Sequence, residues 1–290
     1  MNNRGFVCFG ALAIVGDMIL RFSFTENTTN DMIGLISALA LSTVLAVAAA
    51  WALKGYNKLS FKIKPVVTAV ACLLAVIPVT FVALHSAYIF AHFVTDVMLE
   101  RVGATLPFIT FLALSLFAAF SGRSLMLKFS VIAFPALVVL IVLMFGFSIP
   151  FMSIKYVIPY KAPSRDFISF FFDIFINFLS VLIPILVLGK NSKKRHFVYL
   201  TLIGGSLVIL SVINTVAIFG GEFSAGLSYS YLYAVSTASL GQIFSRMDLL
   251  LYAICFLSTF IKTAGCFASV VLLFKAAAGK IIFQKSEINY

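Results

Sequence analysis

Ser245–Lys275 reads SRMDLLLYAICFLSTFIKTAGCFASVVLLFK. From Leu249 to Phe274 it is apolar, and it is longer than the roughly 20 residues a helix needs to cross a bilayer. One charge interrupts it, Lys262, thirteen residues past Leu249 and so near the midplane. A central lysine costs roughly 2.5–3.5 kcal/mol on insertion scales, so the ammonium needs a partner or a water-filled cavity. Cys255, Ser258, Thr259, Lys262, Thr263, Cys266 and Ser269 recur at spacings of three and four. That spacing puts them on one helical face, with Leu250, Phe256 and Phe260 elsewhere on the surface. The stretch predicts a transmembrane helix with a polar stripe and a buried charge.

The whole chain agrees with a membrane setting. Its 290 residues are 62% hydrophobic and 11% charged, with a mean hydropathy of +1.11. A soluble domain is nearer half apolar and a quarter charged. A net charge of +11 would point to nucleic acid in a soluble chain. Here it points to basic loops on one side of a bilayer, and no nucleic-acid partner is expected. Cys8, Cys72, Cys255 and Cys266 all sit in apolar segments and read as small packing residues, with no metal-ligand spacing among them. Arg4 followed by an apolar run has the outline of a signal peptide, but many spans follow, so a retained helix is expected.

The expected fold is all-α: one polytopic transmembrane helix bundle over residues 1–290, with eight spans at roughly 5–23, 32–53, 66–97, 105–121, 129–150, 167–189, 197–220 and 248–274. Pro78 marks a candidate kink in the long third span. With the N-terminus in the cytoplasm, fourteen of the 21 basic residues fall on the cytoplasmic side and six outside, leaving Lys262 in the membrane. Acidic residues show the opposite bias. Both termini are therefore expected on the cytoplasmic side of the membrane. The segment 222–247 is too polar to span and carries Tyr229, Tyr231 and Tyr233. It predicts an outer-surface amphipathic helix or a partly re-entrant loop.

Three other spans carry informative polar groups. The first contains Gly16–Asp17, a residue that frees the backbone beside an intramembrane carboxylate. The sixth carries Asp166, Ser169, Asp173, Asn177, Ser180 and Pro184 at three- or four-residue intervals. The third carries His85, Tyr88, His92 and Asp96 on one face, lining a cavity or simply packed. In the seventh, Ser211, Asn214 and Thr215 are expected to bond between helices, as Gly204–Gly205 are expected to allow close contact. Lys262 then has two candidate carboxylates, Asp173 and Asp17. No nucleophile elbow, phosphate-binding glycine loop or zinc-protease motif is present, so neither an enzyme nor a bound metal or cofactor is expected.

Read in order, these stretches resemble the GerAB family of spore germination proteins, within the amino acid–polyamine–organocation transporter superfamily. The resemblance lies in SRMDLLLYAICFLSTFIKTAG, with its basic–apolar–Asp entry and its F-x-K lysine. It continues in SGRSLMLKFSVIAFPALVVL followed by KYVIPY, in Gly16-Asp17-Met18-Ile19-Leu20, and in Leu182-Ile183-Pro184. Where the family's sixth helix usually has Gly–aromatic–Glu, this chain has Phe175-Ile176-Asn177, and the usual Tyr-Pro before the eighth helix reads Tyr229-Ser230. The family has ten helices in two inverted five-helix repeats. Eight spans imply an incomplete LeuT-like 5+5 arrangement, short at the C-terminus.

The resemblance implies a small amino acid-like germinant held at the midplane between spans one, three, six and eight, beside broken helices whose free backbone groups take its charged ends. Its expected contacts are Gly16, Asp17, His85, Tyr88, Asp173, Asn177, Thr259 and Lys262. The resemblance also implies two partners, a larger membrane subunit and a lipoprotein subunit, forming a receptor in the inner spore membrane. A proton-coupled amino acid transporter and a scaffold subunit without a ligand are the alternatives.

Overall fold

The computed structural model describes residues 3–21, 28–56, 64–99, 103–157, 166–188, 194–220, 229–237 and 247–287. Among them the chain is nearly all helical and has no strand. In order the helices are α1 (Asn3–Arg21), α2 (Thr28–Tyr56), α3 (Lys64–Phe93), α4 (Thr105–Phe120), α5 (Arg123–Ser148), the short α6 (Ile154–Val157), α7 (Asp166–Leu188), α8 (Lys194–Phe219), α9 (Ser230–Thr237) and α10 (Met247–Glu287). A helix lies over each of the eight expected spans. Four stretches are long and apolar enough to cross a membrane: Val70–Met98, Ser124–Phe151, His196–Phe219 and Cys255–Lys275.

The distribution of apolar residues is that of a bundle in lipid. Ile77, Phe81, Phe117, Phe120 and Ile132 are all more than 65% exposed on the outside of α3, α4 and α5. In water such a surface would aggregate, whereas against hydrocarbon chains it has nothing to gain by burial. Enclosure rises toward one helix. The window Cys255–Lys275 is 67% buried, against 28% for Ser124–Phe151. α10 packs against α1, α3, α4, α5, α7 and α9, so the stretch with the central lysine is the axis of the bundle.

Ring and glycine contacts fix the directions. Phe93 meets Tyr252 at 5.5 Å and Phe90 meets Phe256 at 5.1 Å, so α3 and α10 are antiparallel. A Cβ on Gly16 would stand 2.9 Å from the Thr259 nitrogen, and one on Gly265 would collide with Phe9, so α1 and α10 are antiparallel too. Phe6 packs edge-on to Phe197 at 5.2 Å, while Gly204 packs against Ala11 and Ile14, which makes α1 and α8 parallel. Alternate crossing of the long helices requires this pattern of directions. Close approach is bought by small residues, as in other membrane bundles: a Cβ at Gly205 would collide with Leu39 of α2.

Several local expectations change. α3 is helical through Pro78, and a π-helical turn follows its C-terminal end at Val94–Met98. α1 and α7 are each one uninterrupted helix, so neither supplies the broken-helix backbone groups that the resemblance implies. The 222–247 segment contains α9, amphipathic and packed on α8 and α10, with Tyr231 buried and Tyr233 half exposed. α8 stops where Gly220 takes a positive φ of 76° and its N–H bonds to the Val216 carbonyl at 2.8 Å, the usual left-handed close of a helix.

Candidate functional site

The polar stripe of α10 is buried throughout. Ser258, Thr259, Thr263 and Ser269 are at most 1% exposed, and Lys262 is 2% exposed. Most of the hydroxyls are satisfied within the helix. Thr263 donates to the Thr259 carbonyl at 2.9 Å and Ser269 to that of Gly265 at 2.8 Å, which is how serine and threonine settle in apolar helices. The Thr259 hydroxyl is buried with no hydrogen-bond partner. The Thr259 backbone stands beside Gly16, where α1 comes close to α10: a Cβ there would lie 2.7 Å from the Ser258 hydroxyl and 2.9 Å from the Ser258 carbonyl carbon. Helical side chains lean toward the N-terminus of their helix. The Lys262 stem therefore runs back toward the Ser258–Thr259 turn, the level of Gly16 and the residue after it, Asp17.

The expected residues divide into three groups. Gly16 meets the Ser258–Thr259 backbone at the α1–α10 contact, and Lys262 stands three residues further along α10. Asp17 lies on α1, and Asp173 and Asn177 on α7, which also packs on α10, but their side chains fall outside the described residues. His85 and Tyr88 go elsewhere. α3 meets α10 through Val79, Ala83, Phe90 and Phe93. Tyr88 is 54% exposed and its ring packs at a tilt against His92 at 4.3 Å, and His85 stacks on the outward-facing Phe81 at 5.9 Å. This second stripe lies on the outer side of the bundle. Its last member, Asp96, accepts a hydrogen bond from the Tyr229 hydroxyl at 3.1 Å. Burial, reinforced by the Asp96 carboxylate, pushes the Tyr229 hydroxyl well up from its ordinary range and keeps it a donor.

One group was underrated by spacing alone. Ser211, Asn214 and Thr215 look alike as interhelical bonding residues. In the fold, Ser211 and Thr215 donate to the carbonyls of Leu207 and Ser211, at 2.9 and 3.0 Å. Asn214 is 1% exposed, and neither its amide nitrogen nor its oxygen has a partner. A carboxamide cannot satisfy itself on its own helix as a hydroxyl can, because it brings two donors and an acceptor. That difference in residue type was the signal available in the sequence. Ser230 and Tyr231 of α9, both buried, likewise have unpartnered hydroxyls.

No protein-family model matches the chain, and neither does any curated protein.

Proposed function

We propose that this chain is the membrane subunit of a nutrient-germinant receptor, binding a small amino acid-like molecule near the bilayer midplane and triggering spore germination through partner subunits. The observation that carries the reading is Lys262: an ammonium 2% exposed, in the most enclosed of the four long apolar stretches, beside a glycine-mediated contact and an unpartnered hydroxyl. A buried cation is expensive to keep; Lys262 already interacts within the protein, and a ligand carboxylate would join those interactions. The carboxylate sits at Lys262 and Thr259, with Gly16 leaving room for close backbone approach. Asp17, Asp173 and Asn177 supply groups for the ligand's amine. The ligand acts by binding one arrangement of α1 against α10 more tightly than another, and so shifts their populations. The larger membrane subunit and the lipoprotein read that shift, with both termini of this chain in the cytoplasm and the bundle in the inner spore membrane.

The test is equilibrium binding of radiolabelled amino acids to the chain in lipid nanodiscs, alongside nutrient-triggered germination of spores carrying the same variants. Lys262→Ala is expected to weaken binding at least a hundredfold and to abolish the germination response while the protein still assembles. Concentrative uptake by the chain alone in proteoliposomes would replace the receptor with a transporter. An intact germination response in Lys262→Ala would leave a scaffold subunit.

A further inference from the structure

Polar groups on the lipid-facing surface are handled in two ways. Thr110 of α4 and Ser206 of α8, both exposed, donate to carbonyls of their own helices, those of Leu106 and Ile203, at 2.9 Å each. Lipid therefore meets no unpaired hydroxyl there. Tyr88 of α3 differs. Its hydroxyl is carried on the far side of a ring, out of reach of the carbonyls of its own helix. Among the described residues it has no hydrogen-bond partner: the ring packs at a tilt against His92 at 4.3 Å and stays 54% exposed.

Two measures put this hydroxyl deep in the hydrocarbon. The middle of the Val70–Met98 span is Leu84. Independently, Phe90 meets Phe256 across the antiparallel α3–α10 contact. Six residues on from Phe256 is Lys262, and six back from Phe90 is again Leu84. Tyr88 is four residues from that level, about 6 Å at 1.5 Å per residue, where the half-thickness of the apolar core is roughly 15 Å. Helical side chains lean toward the start of their helix, which turns Tyr88 back toward the midplane and away from the nearer interface. A polar group held at this depth against lipid is costly. Another protein surface removes the cost if it offers an acceptor.

The stripe supplies that acceptor itself. Leu74, Ile77, Phe81, His85, Tyr88 and His92 follow one another at three- and four-residue steps on one face of α3. Copies of one chain insert in the same direction. A two-fold axis along the membrane normal therefore brings like levels of α3 together, with the same patch on both sides. In such a pair Tyr88 of one copy donates to an imidazole of the other. His85 and His92 stand one turn to either side of it, and an imidazole carries a hydrogen-bond acceptor. Symmetry makes the bond twice. Leu74, Ile77 and Phe81, each at least 65% exposed, pack copy against copy along the other half of the stripe. Asp96 ends it twelve residues from Leu84, about 18 Å from the midplane, where water and salt screen it from its counterpart.

We propose that the outer stripe of α3 is the contact between two copies of this chain, a parallel two-fold pair joined by reciprocal Tyr88–imidazole hydrogen bonds inside the membrane. This contact stands independently of the ligand reading of Lys262. Hydrogen bonds between membrane helices are individually modest, so the pair is reversible. Changes at Tyr88 shift its association and leave the unfolding of a single chain almost unaltered.

The experiment has two arms. In proteoliposomes, Phe81→Cys is oxidised with copper phenanthroline in a chain that carries Cys8→Ala, Cys72→Ala, Cys255→Ala and Cys266→Ala. Ile132→Cys on α5, where Ile132 is 73% exposed against 67% for Phe81, is the control for random collision. Phe81→Cys is expected to form a disulfide dimer about fivefold faster or more, because like levels face each other across the axis. The second arm keeps the native cysteines and follows energy transfer between chains labelled at the N-terminus as lipid is added. Tyr88→Phe, which removes only the hydroxyl, should weaken association roughly eightfold, the loss of two interhelical bonds of average strength, with the thermal midpoint of the dilute chain unchanged. If the cysteine-free background does not assemble, this arm decides alone. Equal cross-linking at the two positions, no energy transfer at any lipid ratio, or a change below about twofold in Tyr88→Phe overturns the pair. So does a Phe81→Cys product that, in native membranes, contains a different polypeptide instead of a second copy.

Discussion

Two polar stripes, on α3 and on α10, have nearly the same form in sequence and opposite places in the fold. His85, Tyr88, His92 and Asp96 recur every three or four residues, as Cys255, Ser258, Thr259 and Lys262 do. The α10 stripe is sealed inside the bundle, whereas Tyr88 and Asp96 of the α3 stripe are exposed at its outer side. The difference arises in what each face meets. Gly16 lets α1 lie close to the α10 backbone, and Gly265 makes room for the Phe9 ring of α1, so small polar side chains and one long one are enclosed. On α3 it is Val79, Ala83, Phe90 and Phe93 that take the inner side, and the aromatic and imidazole rings are turned away. Periodicity defines a face, but the small residues of the neighbouring helix determine whether that face is enclosed.

Substitutions can break this contrast, and the largest effect is expected at Lys262. Removing one partner of a buried charge costs roughly 3–5 kcal/mol, so Lys262→Ala should show a large loss in unfolding free energy, measured by thermal or denaturant unfolding in lipid. A change below about 0.5 kcal/mol, the usual size at an exposed site, would make the α10 stripe no different from that of α3. Next comes Gly16→Val. Its branched side chain meets Ser258 and Thr259 backbone that cannot move aside, and overpacking of this kind costs about 1–3 kcal/mol. Full retention of stability would mean that α1 and α10 are not held at the separation described here.

Tyr229→Phe should cost less, about 0.5–1.5 kcal/mol for one hydrogen bond, visible as faster proteolysis of the segment that carries Tyr229. A cost near zero would mean that Asp96 does not hold Tyr229. The smallest effect is expected for Tyr88→Leu, within about 0.5 kcal/mol as at exposed positions. A loss above roughly 2 kcal/mol there would sharpen the comparison in the other direction, because it would require another protein surface against the α3 stripe.

Much of the fold was legible from the sequence. Helices lie over the expected spans because long apolar segments in lipid have few other ways to satisfy their backbone. The burial of Lys262 followed from its depth in the segment. The amphipathic helix in 222–247 followed from its tyrosines, although only Ser230–Thr237 is helical among the described residues. The rest depended on contacts between distant segments. A π-helical turn begins just past Phe93, whose ring lies between Tyr229 at 5.4 Å and Tyr252 at 5.5 Å, and no local pattern announces that. His85 and Tyr88 have the expected spacing, but Val79, Ala83, Phe90 and Phe93 build the face of α3 that meets α10. Asn214 was grouped with hydroxyl residues that bond to their own helix, which a carboxamide does not do.

α10 has a mechanical consequence. The helix runs for 41 residues without a break, and 25 of them lie beyond Lys262. At 1.5 Å per residue that is a rod of about 37 Å from the ammonium to Glu287. A rigid rod turned by about 5° at the Lys262 level moves its far tip by roughly 3 Å, taking the same rise per residue. A displacement too small to open the α1–α10 seam thus becomes, at the other end of the same helix, the width of an atom. Amplification of this kind requires nothing beyond an unbroken helix and a fulcrum, and the glycine contact at Gly16 provides the fulcrum.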